Sequence, residues 1–190
     1  MHRCGRLLSG KASSIARTVD TRPPNTSPLP RCLGVRPEDV LVGLLQQHGV
    51  KLAIIQAGIG DVVARAVRET KGGESVLATT PVFAHPNEVR QEYVSGTPDE
   101  TESLRDLALR SAQAICEESD AAVAIAIISL PDVNEDADIV EGTAVAVYSD
   151  TKVRDRVYGF GAQSEVARDW VRSWSLSSAW RMLKERFDAD

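Results

Sequence analysis

Cysteine is scarce in this sequence, which contains only Cys4, Cys32 and Cys116. An odd number of cysteines, two of them among the first 34 residues, does not build a disulfide framework, so we expect a protein of a reducing compartment. No apolar run reaches the roughly 18 residues that a membrane-spanning helix needs. The longest, residues 121–130, has the length of a strand. The sequence therefore predicts a soluble protein that has no membrane partner.

Acidic residues are almost absent from residues 1–34, where six basic residues stand against Asp20 alone, a net charge of +5. Because the whole chain has a net charge of −5, the remaining residues carry −10. An acidic body repels nucleic acid and anionic lipid, since both are polyanionic. We therefore expect neither of them as a partner.

Residues 1–34 are also rich in Arg, Ser and Pro, and the four prolines at residues 23–30 oppose regular structure because each removes an amide donor. This composition is typical of a mitochondrial transit peptide, of a disordered extension, or of a start codon assigned upstream of the true one. We expect a cytoplasmic protein, or one of the mitochondrial matrix if the segment is a transit peptide. A composition of 43% hydrophobic and 26% charged residues predicts one folded domain over residues 35–190.

Apolar helices and strands alternate along this domain. Helices are predicted at residues 37–48, from residue 62 onward, at 98–118 and at 164–186, and strands at residues 51–56, 75–84, 121–129, 143–149 and 153–160. Pro37 and Gly49 bound the first helix, and Asp61 is placed as N-cap of the second. The last two strands are predicted to form a hairpin around Asp150. The alternation predicts an α/β fold, a three-layer α/β/α sandwich with a mixed sheet.

A glycine turn, Gln56-Ala57-Gly58-Ile59-Gly60-Asp61, lies between the first strand and the second helix. Backbone amides and the helix dipole attract an anion at such a position, so we expect a ligand there. The turn lacks the third glycine of a dinucleotide fingerprint, and Asp61 would repel a phosphate. We therefore favour a tight turn capped by Asp61 over a phosphate-binding site.

The segment Ile55-Gln56-Ala57-Gly58-Ile59-Gly60-Asp61-Val62-Val63-Ala64 resembles the A-E-S-C-T-G-G-L-L-A motif of the CinA C-terminal domain family, the nicotinamide-nucleotide amidases. Further segments follow in the family's order. His85-Pro86-Asn87-Glu88-Val89-Arg90 is similar to the family's Y-S-N-x-x-K. Residues 127–131, followed by Gly142-Thr143, are similar to its G-I-A-G-P segment and the G-T strand after it. Residues 158–163 are similar to its F-x-G-D-R turn. The resemblance covers residues 36–187. It implies a domain whose active members hydrolyse the amide of nicotinamide mononucleotide, and it implies no cofactor and no metal.

The departures from the family fall on the reacting groups. The resemblance places the serine nucleophile at Ala57, whose methyl group cannot attack a carbonyl. It places the family's tyrosine at His85 and its lysine at Arg90, and an arginine stays protonated, so it cannot act as a base. Further polar groups are lost where the resemblance aligns Ile59, Asp61 and Gln163.

The first hypothesis is therefore a pseudoenzyme that has lost amidase activity and binds a pyridine nucleotide or another small molecule, in a regulatory role. Its catalytic set is not intact. The ligand-binding residues predicted for it are Gln56, Gly58, Gly60, Asn87, Arg90 and Ser129.

Two alternatives remain open. In a divergent amidohydrolase, His85 would activate water while Glu88 orients it and Arg90 binds an anionic part of the substrate, a nicotinamide nucleotide or a related amide; otherwise His85 is a polar loop residue. In a protein-interaction module, Trp170 and Trp174 would form one helix face and the protein would be a homo-oligomer.

Two further patterns have a simpler interpretation. Core packing is the favoured role of both tryptophans, and the serines beside them are interpreted as surface residues: Ser173, Ser175, Ser177 and Ser178. The acidic loop at residues 131–141 does not match the ligand spacing of an EF-hand, so no metal is expected there.

Overall fold

The computed structural model describes residues 36–94, 102–131, 141–150 and 152–189. The predicted N-terminal extension, residues 1–34, lies outside them, and so does most of the acidic loop. None of the helices in these ranges combines the length and the apolar character that a bilayer crossing requires.

Six strands form one mixed sheet. They are β1 (Leu52–Ala57), β2 (Leu77–Thr79), β3 (Val82–Phe83), β4 (Val123–Ser129), β5 (Thr143–Ser149) and β6 (Lys152–Tyr158). The strand order is β2-β1-β4-β5-β6, and β3 pairs with the end of β1 beyond β2. Strand β1 runs parallel to β2, β3 and β4, whereas β5 is antiparallel to both β4 and β6. The predicted hairpin of the last two strands is confirmed, with Asp150 in its turn at a φ of 53°.

Six helices cover the two faces of this sheet. They are α1 (Pro37–His48), α2 (Val62–Glu69), α3 (Gly73–Val76), α4 (Pro86–Tyr93), α5 (Leu104–Ser119) and α6 (Glu165–Phe187). Helices α1, α2 and α6 pack on one face, and α5 with α4 packs on the other. The predicted three-layer α/β/α sandwich with a mixed sheet is therefore confirmed.

Side chains of the sheet alternate between two cores. In β1, Ile54 points towards α1, α2 and α6, whereas Ala53, Ile55 and Ala57 point towards α5. The α5 side of the neighbouring strands carries mainly alanines: Ala124, Ala126, Ala144 and Ala146. These small side chains leave room for the larger residues of α5, because a core is filled to a nearly constant density.

The strand predicted at residues 75–84 is wrong in its extent. A single helical turn, α3, occupies its start, and β2 and β3 are separated by Thr80 and Pro81. Proline has no amide to donate, so the break is expected at this residue. The carbonyl of Pro81 still accepts a hydrogen bond from the Gln56 amide at 3.1 Å, which keeps the segment on the edge of β1.

Helix α4 was not predicted from the sequence, although the signals for it are present. His85 is the N-cap residue, Pro86 occupies the first helical position and Glu88 lies in the first turn. Proline and acidic residues are favoured at these positions. The helix predicted at 98–118 instead begins later, because Ser103 is the N-cap of α5 and accepts a hydrogen bond from the Asp106 amide at 3.0 Å. Residues 98–101 lie outside the described ranges.

The bounds predicted for α6 are confirmed to within one residue, and the predicted core packing is confirmed for Trp174 but wrong for Trp170. Val166 and Trp170 are 63% and 56% exposed, whereas Trp174 is half-buried against the core. Three of the four serines interpreted as surface residues are buried instead: Ser175, Ser177 and Ser178. The Ser175 hydroxyl donates to the Val171 carbonyl at 2.6 Å, so burying it leaves no donor unsatisfied. Ser173 alone among the four is exposed.

Candidate functional site

The candidate site lies at the edge of the sheet where the parallel strands β1 and β4 end. The 58–61 turn follows β1, Ser129 is the last residue of β4, and residues 159–164 connect β6 to α6. In α/β sheets this carboxyl edge is where ligands bind, because strand ends, turns and helix N-termini meet there. The structure therefore places the sequence-predicted glycine turn at a suitable position.

Gly58 is required by the close approach of two strand ends. Its φ is 69°, and a Cβ atom built on it would lie 2.0 Å from the carbonyl oxygen of Ser129. Its amide donates to the Phe83 carbonyl at 3.1 Å, and its own carbonyl accepts from Gln163 Nε2 at 3.4 Å. Gly58 thus joins the ends of β1, β3 and β4 to the turn that precedes α6.

Gln56 satisfies the first turn of α2 from inside the sheet. Its side chain is fully buried, and its Oε1 accepts a hydrogen bond from the Val63 amide at 2.8 Å. Asp61 occupies the predicted N-cap position, but its side chain caps no amide of α2 and instead lies 3.9 Å from both Arg65 and Arg68. The predicted capping role of Asp61 is therefore wrong. Gln56 Nε2 is buried and finds no partner among the described residues.

Two buried hydroxyls hold the other side of the site. The Ala162 amide donates to Ser129 Oγ at 3.0 Å, and Ser129 Oγ lies 2.9 Å from Thr143 Oγ1. Thr143 Oγ1 donates to the Phe160 carbonyl at 2.8 Å. Because the only proton of Thr143 is used in that bond, Ser129 must donate to Thr143. Both hydroxyls are thus fully engaged with the protein.

Ala57 presents no reactive atom. It is fully buried, and its side chain faces the α5 core, on the opposite side of the sheet from Gln56. Its neighbours in the sheet are Phe83 on β3 and Ile128 on β4. An apolar environment therefore surrounds the position at which the resemblance places the nucleophile.

The candidate residues of α4 form a separate group. His85 is exposed, and no hydrogen bond or ion pair links it to Glu88 in this part of the structure. The Glu88 carboxylate instead accepts from the Ala84 amide at 3.3 Å. Arg90 donates to Asn87 Oδ1 at 2.6 Å and lies 3.4 Å from the Glu102 carboxylate.

Glu102 is a functional candidate that the sequence analysis missed. Its side chain is 8% exposed and lies between Arg90 and Arg110, 2.9 Å from the second of these guanidinium groups. No motif indicates this arrangement, since the three residues come from α4, from the segment before α5 and from α5 itself. The positive charge of Arg90 is therefore already matched within the protein.

The predicted ligand-binding residues thus fall into two groups. Gln56, Gly58 and Ser129 are joined by contacts around the 58–61 turn, which also includes Gly60, and Asn87 and Arg90 contact each other on α4. Within the ranges that the structure describes, no three His, Cys, Asp or Glu side chains cluster as metal ligands would.

Tyr158, at the end of β6, has the strongest electrostatic perturbation near this edge. Burial raises the pKa of its phenol to about 12, and the nearby Arg156 guanidinium opposes the shift. Its ring contacts that of Phe160, with a centroid distance of 5.0 Å. A tyrosine with so high a pKa stays neutral at physiological pH, so it adds no charge to the site.

Neither a protein-family model nor a curated protein sequence matches this chain. Solved structures do. The competence/damage-inducible protein CihA of Agrobacterium tumefaciens is 18% identical with a TM-score of 0.60, over 80% of this chain and 98% of that one. A CinA-superfamily protein of Klebsiella pneumoniae 700603 is 15% identical with a TM-score of 0.65, over 78% and 96%. One from Escherichia coli is 18% identical with a TM-score of 0.59, over 77% and 89%.

These similarities establish the class of fold. The chain has the α/β fold of CinA-superfamily proteins, as the resemblance of its motifs predicted. At these identities the similarity is one of architecture. The chemistry of the site has to be argued from its own residues.

Proposed function

We propose that this domain is a divergent, catalytically silent relative of the nicotinamide-nucleotide amidases, which binds a small ligand at the carboxyl edge of β1 and β4 in a regulatory role. One observation carries the proposal. Ala57, which the resemblance aligns with the nucleophilic serine, is a fully buried methyl group in an apolar environment. Acyl transfer needs an attacking oxygen or sulfur, and this position supplies neither.

The hydroxyls nearest to the turn offer no replacement. Ser129 donates to Thr143, and Thr143 donates to a backbone carbonyl, so neither proton is directed towards a basic side chain. A serine becomes nucleophilic only when a neighbouring base removes its proton. The role of these two hydroxyls is to hold strand ends and the preceding turn of α6 together.

The amidohydrolase alternative has less support from the geometry. A general base on α4 would need an orienting partner, and Glu88 is engaged with the Ala84 amide rather than with His85. Arg90 could receive a substrate anion only in competition with Glu102, whose carboxylate lies 3.4 Å away. The named groups therefore lack the mutual contacts that a catalytic set requires.

The chemistry of the turn suits a ligand that accepts hydrogen bonds without a large negative charge. Gln56 Nε2 is a buried donor without a described partner, and buried donors are normally satisfied by protein, water or ligand. Asp61 adds a negative charge at the start of α2, which disfavours a phosphate there. The carboxamide oxygen of a nicotinamide group fits this combination.

The direct test is to incubate the purified full-length protein with nicotinamide mononucleotide and to measure ammonia against a heat-killed control. We expect no release above that control. We also expect a rise in the thermal unfolding midpoint with a pyridine nucleotide, since a ligand that binds only the folded state stabilises it.

Two variants locate the binding. Gln163→Ala, which removes the exposed amide that donates to the Gly58 carbonyl, should reduce the ligand-induced rise, whereas Gln113→Ala, which removes an exposed amide hydrogen bond within α5, should not. Ammonia release that is abolished by His85→Ala would overturn the proposal in favour of the amidohydrolase. An identical rise in both variants would contradict ligand binding beside the 58–61 turn.

A further inference from the structure

We propose that a groove between the C-terminal part of α6 and strand β6 binds a small aromatic carboxylate. The groove has a volume of about 310 Å³ and is lined by Arg154, Trp180, Arg181, Lys184, Glu185 and Asp188. It shares no residue with the site around the 58–61 turn, so this inference does not depend on the proposed function. A groove of this volume is large enough to hold one small organic molecule.

The helical spacing of the lining residues brings an aromatic ring and two cations together. Arg181 and Lys184 are three residues apart, and Trp180 and Lys184 are four apart, so each pair is adjacent on the surface of α6. Lys184 Nζ lies 5.3 Å from the centre of the Trp180 ring. A carboxylate that pairs with this ammonium group therefore brings its own ring close to the indole.

The indole of Trp180 provides a fixed surface for such a ring. Its side chain is half-buried and packs against the core on the side of α1, α2 and α6, which restricts its motion. Among the described residues that line the groove, it is the aromatic one. Aromatic rings attract one another in offset-stacked or edge-to-face arrangements, so a flat ligand gains more here than an aliphatic one.

Two of the three cations of the groove are available to an anion. Arg154 of β6 pairs with Glu185 of α6. The ion pairs that α6 forms in the described part of the chain include neither Arg181 nor Lys184. A guanidinium group can bind a carboxylate through two parallel hydrogen bonds, and hydrogen bonds between ionised groups are stronger than neutral ones. Arg181 and Lys184 are therefore the expected partners of the ligand's carboxylate.

The charge of the lining favours a monoanion. Three basic and two acidic side chains line the groove, which leaves one net positive charge. A phosphate with two negative charges would meet Glu185 and Asp188 as well as the cations, and like charges brought together cost free energy. A single carboxylate on a planar ring therefore matches both the charge and the aromatic surface of the groove.

The test is a titration of the full-length protein with benzoate, followed through the indole N–H signals of its three tryptophans in proton–nitrogen correlation spectra. We expect the signal of Trp180, identified by its loss in Trp180→Phe, to move in a saturable way while the other two stay in place. The expected dissociation constant is about 1 mM, as is typical of a ligand of this size. Cyclohexanecarboxylate, which has no flat ring, and benzamide, which has no charge, should each bind at least about fivefold more weakly.

Two matched variants separate the groove from general surface charge. Arg181→Gln removes an available cation of the groove and should raise the dissociation constant for benzoate at least about fivefold, the effect typical of a lost hydrogen bond. Arg172→Gln removes a cation of the same helix that pairs with Asp169 outside the groove, and should leave binding unchanged. The absence of a saturable shift of the Trp180 signal up to about 10 mM benzoate, or equal losses in the two variants, would overturn the proposal.

Discussion

Position 58 requires glycine for two reasons: its backbone is left-handed, and there is no room for a Cβ atom. Gly58→Ala should lower the free energy of unfolding by about 3 kcal/mol, because a Cβ would strain the left-handed backbone and overlap the Ser129 carbonyl. Gly60→Ala is the matched control, since Gly60 has a similar φ of 73° and no heavy atom within 4 Å of the added Cβ. It should cost about 1–2 kcal/mol. Urea unfolding of both variants measures the difference, and equal losses would refute the role of the close approach.

The raised pKa of Tyr158 predicts that the folded protein becomes less stable as the pH turns alkaline. Its pKa is about 12 in the folded protein and about 10 when exposed, so the stabilisation of the neutral phenol is complete below pH 10 and is lost as the pH rises towards 12. Between pH 9 and pH 11 the loss should be roughly 1.3 kcal/mol. Tyr158→Phe removes the titrating group. Urea unfolding of the variant should therefore show a shallower alkaline decline than the parent, and parallel declines would contradict the assignment.

The parts of the candidate site that could be predicted are those whose residues lie close together in the sequence. The 56–61 turn was found because a strand, two glycines and a helix follow one another within a few residues. The pairing of Arg90 with Glu102 was not found, because it depends on how α4 packs against the start of α5. The capping of α2 by Gln56 was missed for a similar reason. Rules based on the neighbouring sequence placed that role on Asp61, while the strand supplied a better-placed oxygen.

At the scale of elements, the start of α5 depends on Ser103. Ser103→Ala should lower the free energy of unfolding by about 1 kcal/mol, since the Asp106 amide loses its acceptor. Ser119→Ala, at the other end of the helix, is the control. The Ser119 hydroxyl bonds only to a carbonyl of its own helix, and alanine has the higher helix propensity, so the change should be nearly neutral. A loss at position 119 as large as that at 103 would contradict this account.

Helix α6 explains why element bounds are easier to predict than element faces. Its length was predicted, and its bounds were correct to within one residue. The exposure of some of its residues was predicted wrongly, because large apolar residues were assigned to the core and serines to the surface. The reverse holds for Trp170 and Ser175, and the serine can be buried because its hydroxyl donates to a carbonyl of its own helix.

At the scale of the whole molecule, the layer architecture followed from the alternation of helices and apolar strands. The strands at the edge of the sheet could not be derived in this way. Residues 77–83 form two short strands beside β1, whereas the sequence predicts a single strand there. Architecture of this kind can be kept while chemistry is lost. The resemblance aligns the reacting groups of an active amidase with Ala57, with α4 and with the turn before α6, and under the proposed function this chain carries unsuitable residue types at each of these places.

This distribution predicts that one reversion is insufficient. Ala57→Ser should give no ammonia from nicotinamide mononucleotide, because the new hydroxyl would have no base and would face the α5 core. Ala126→Ser places a hydroxyl in the same core and controls for any loss of stability. Measurable turnover by Ala57→Ser alone would show that the remaining residues still form a catalytic set.

The hydroxyls of Ser129 and Thr143 form a chain of hydrogen bonds that begins and ends in the turn before α6. The Ala162 amide donates to Ser129 on β4, the Ser129 hydroxyl donates to Thr143 on β5, and the Thr143 hydroxyl donates to the Phe160 carbonyl. The turn before α6 therefore cannot shift relative to β4 and β5 without leaving buried donors unsatisfied, so this side of the site should be rigid.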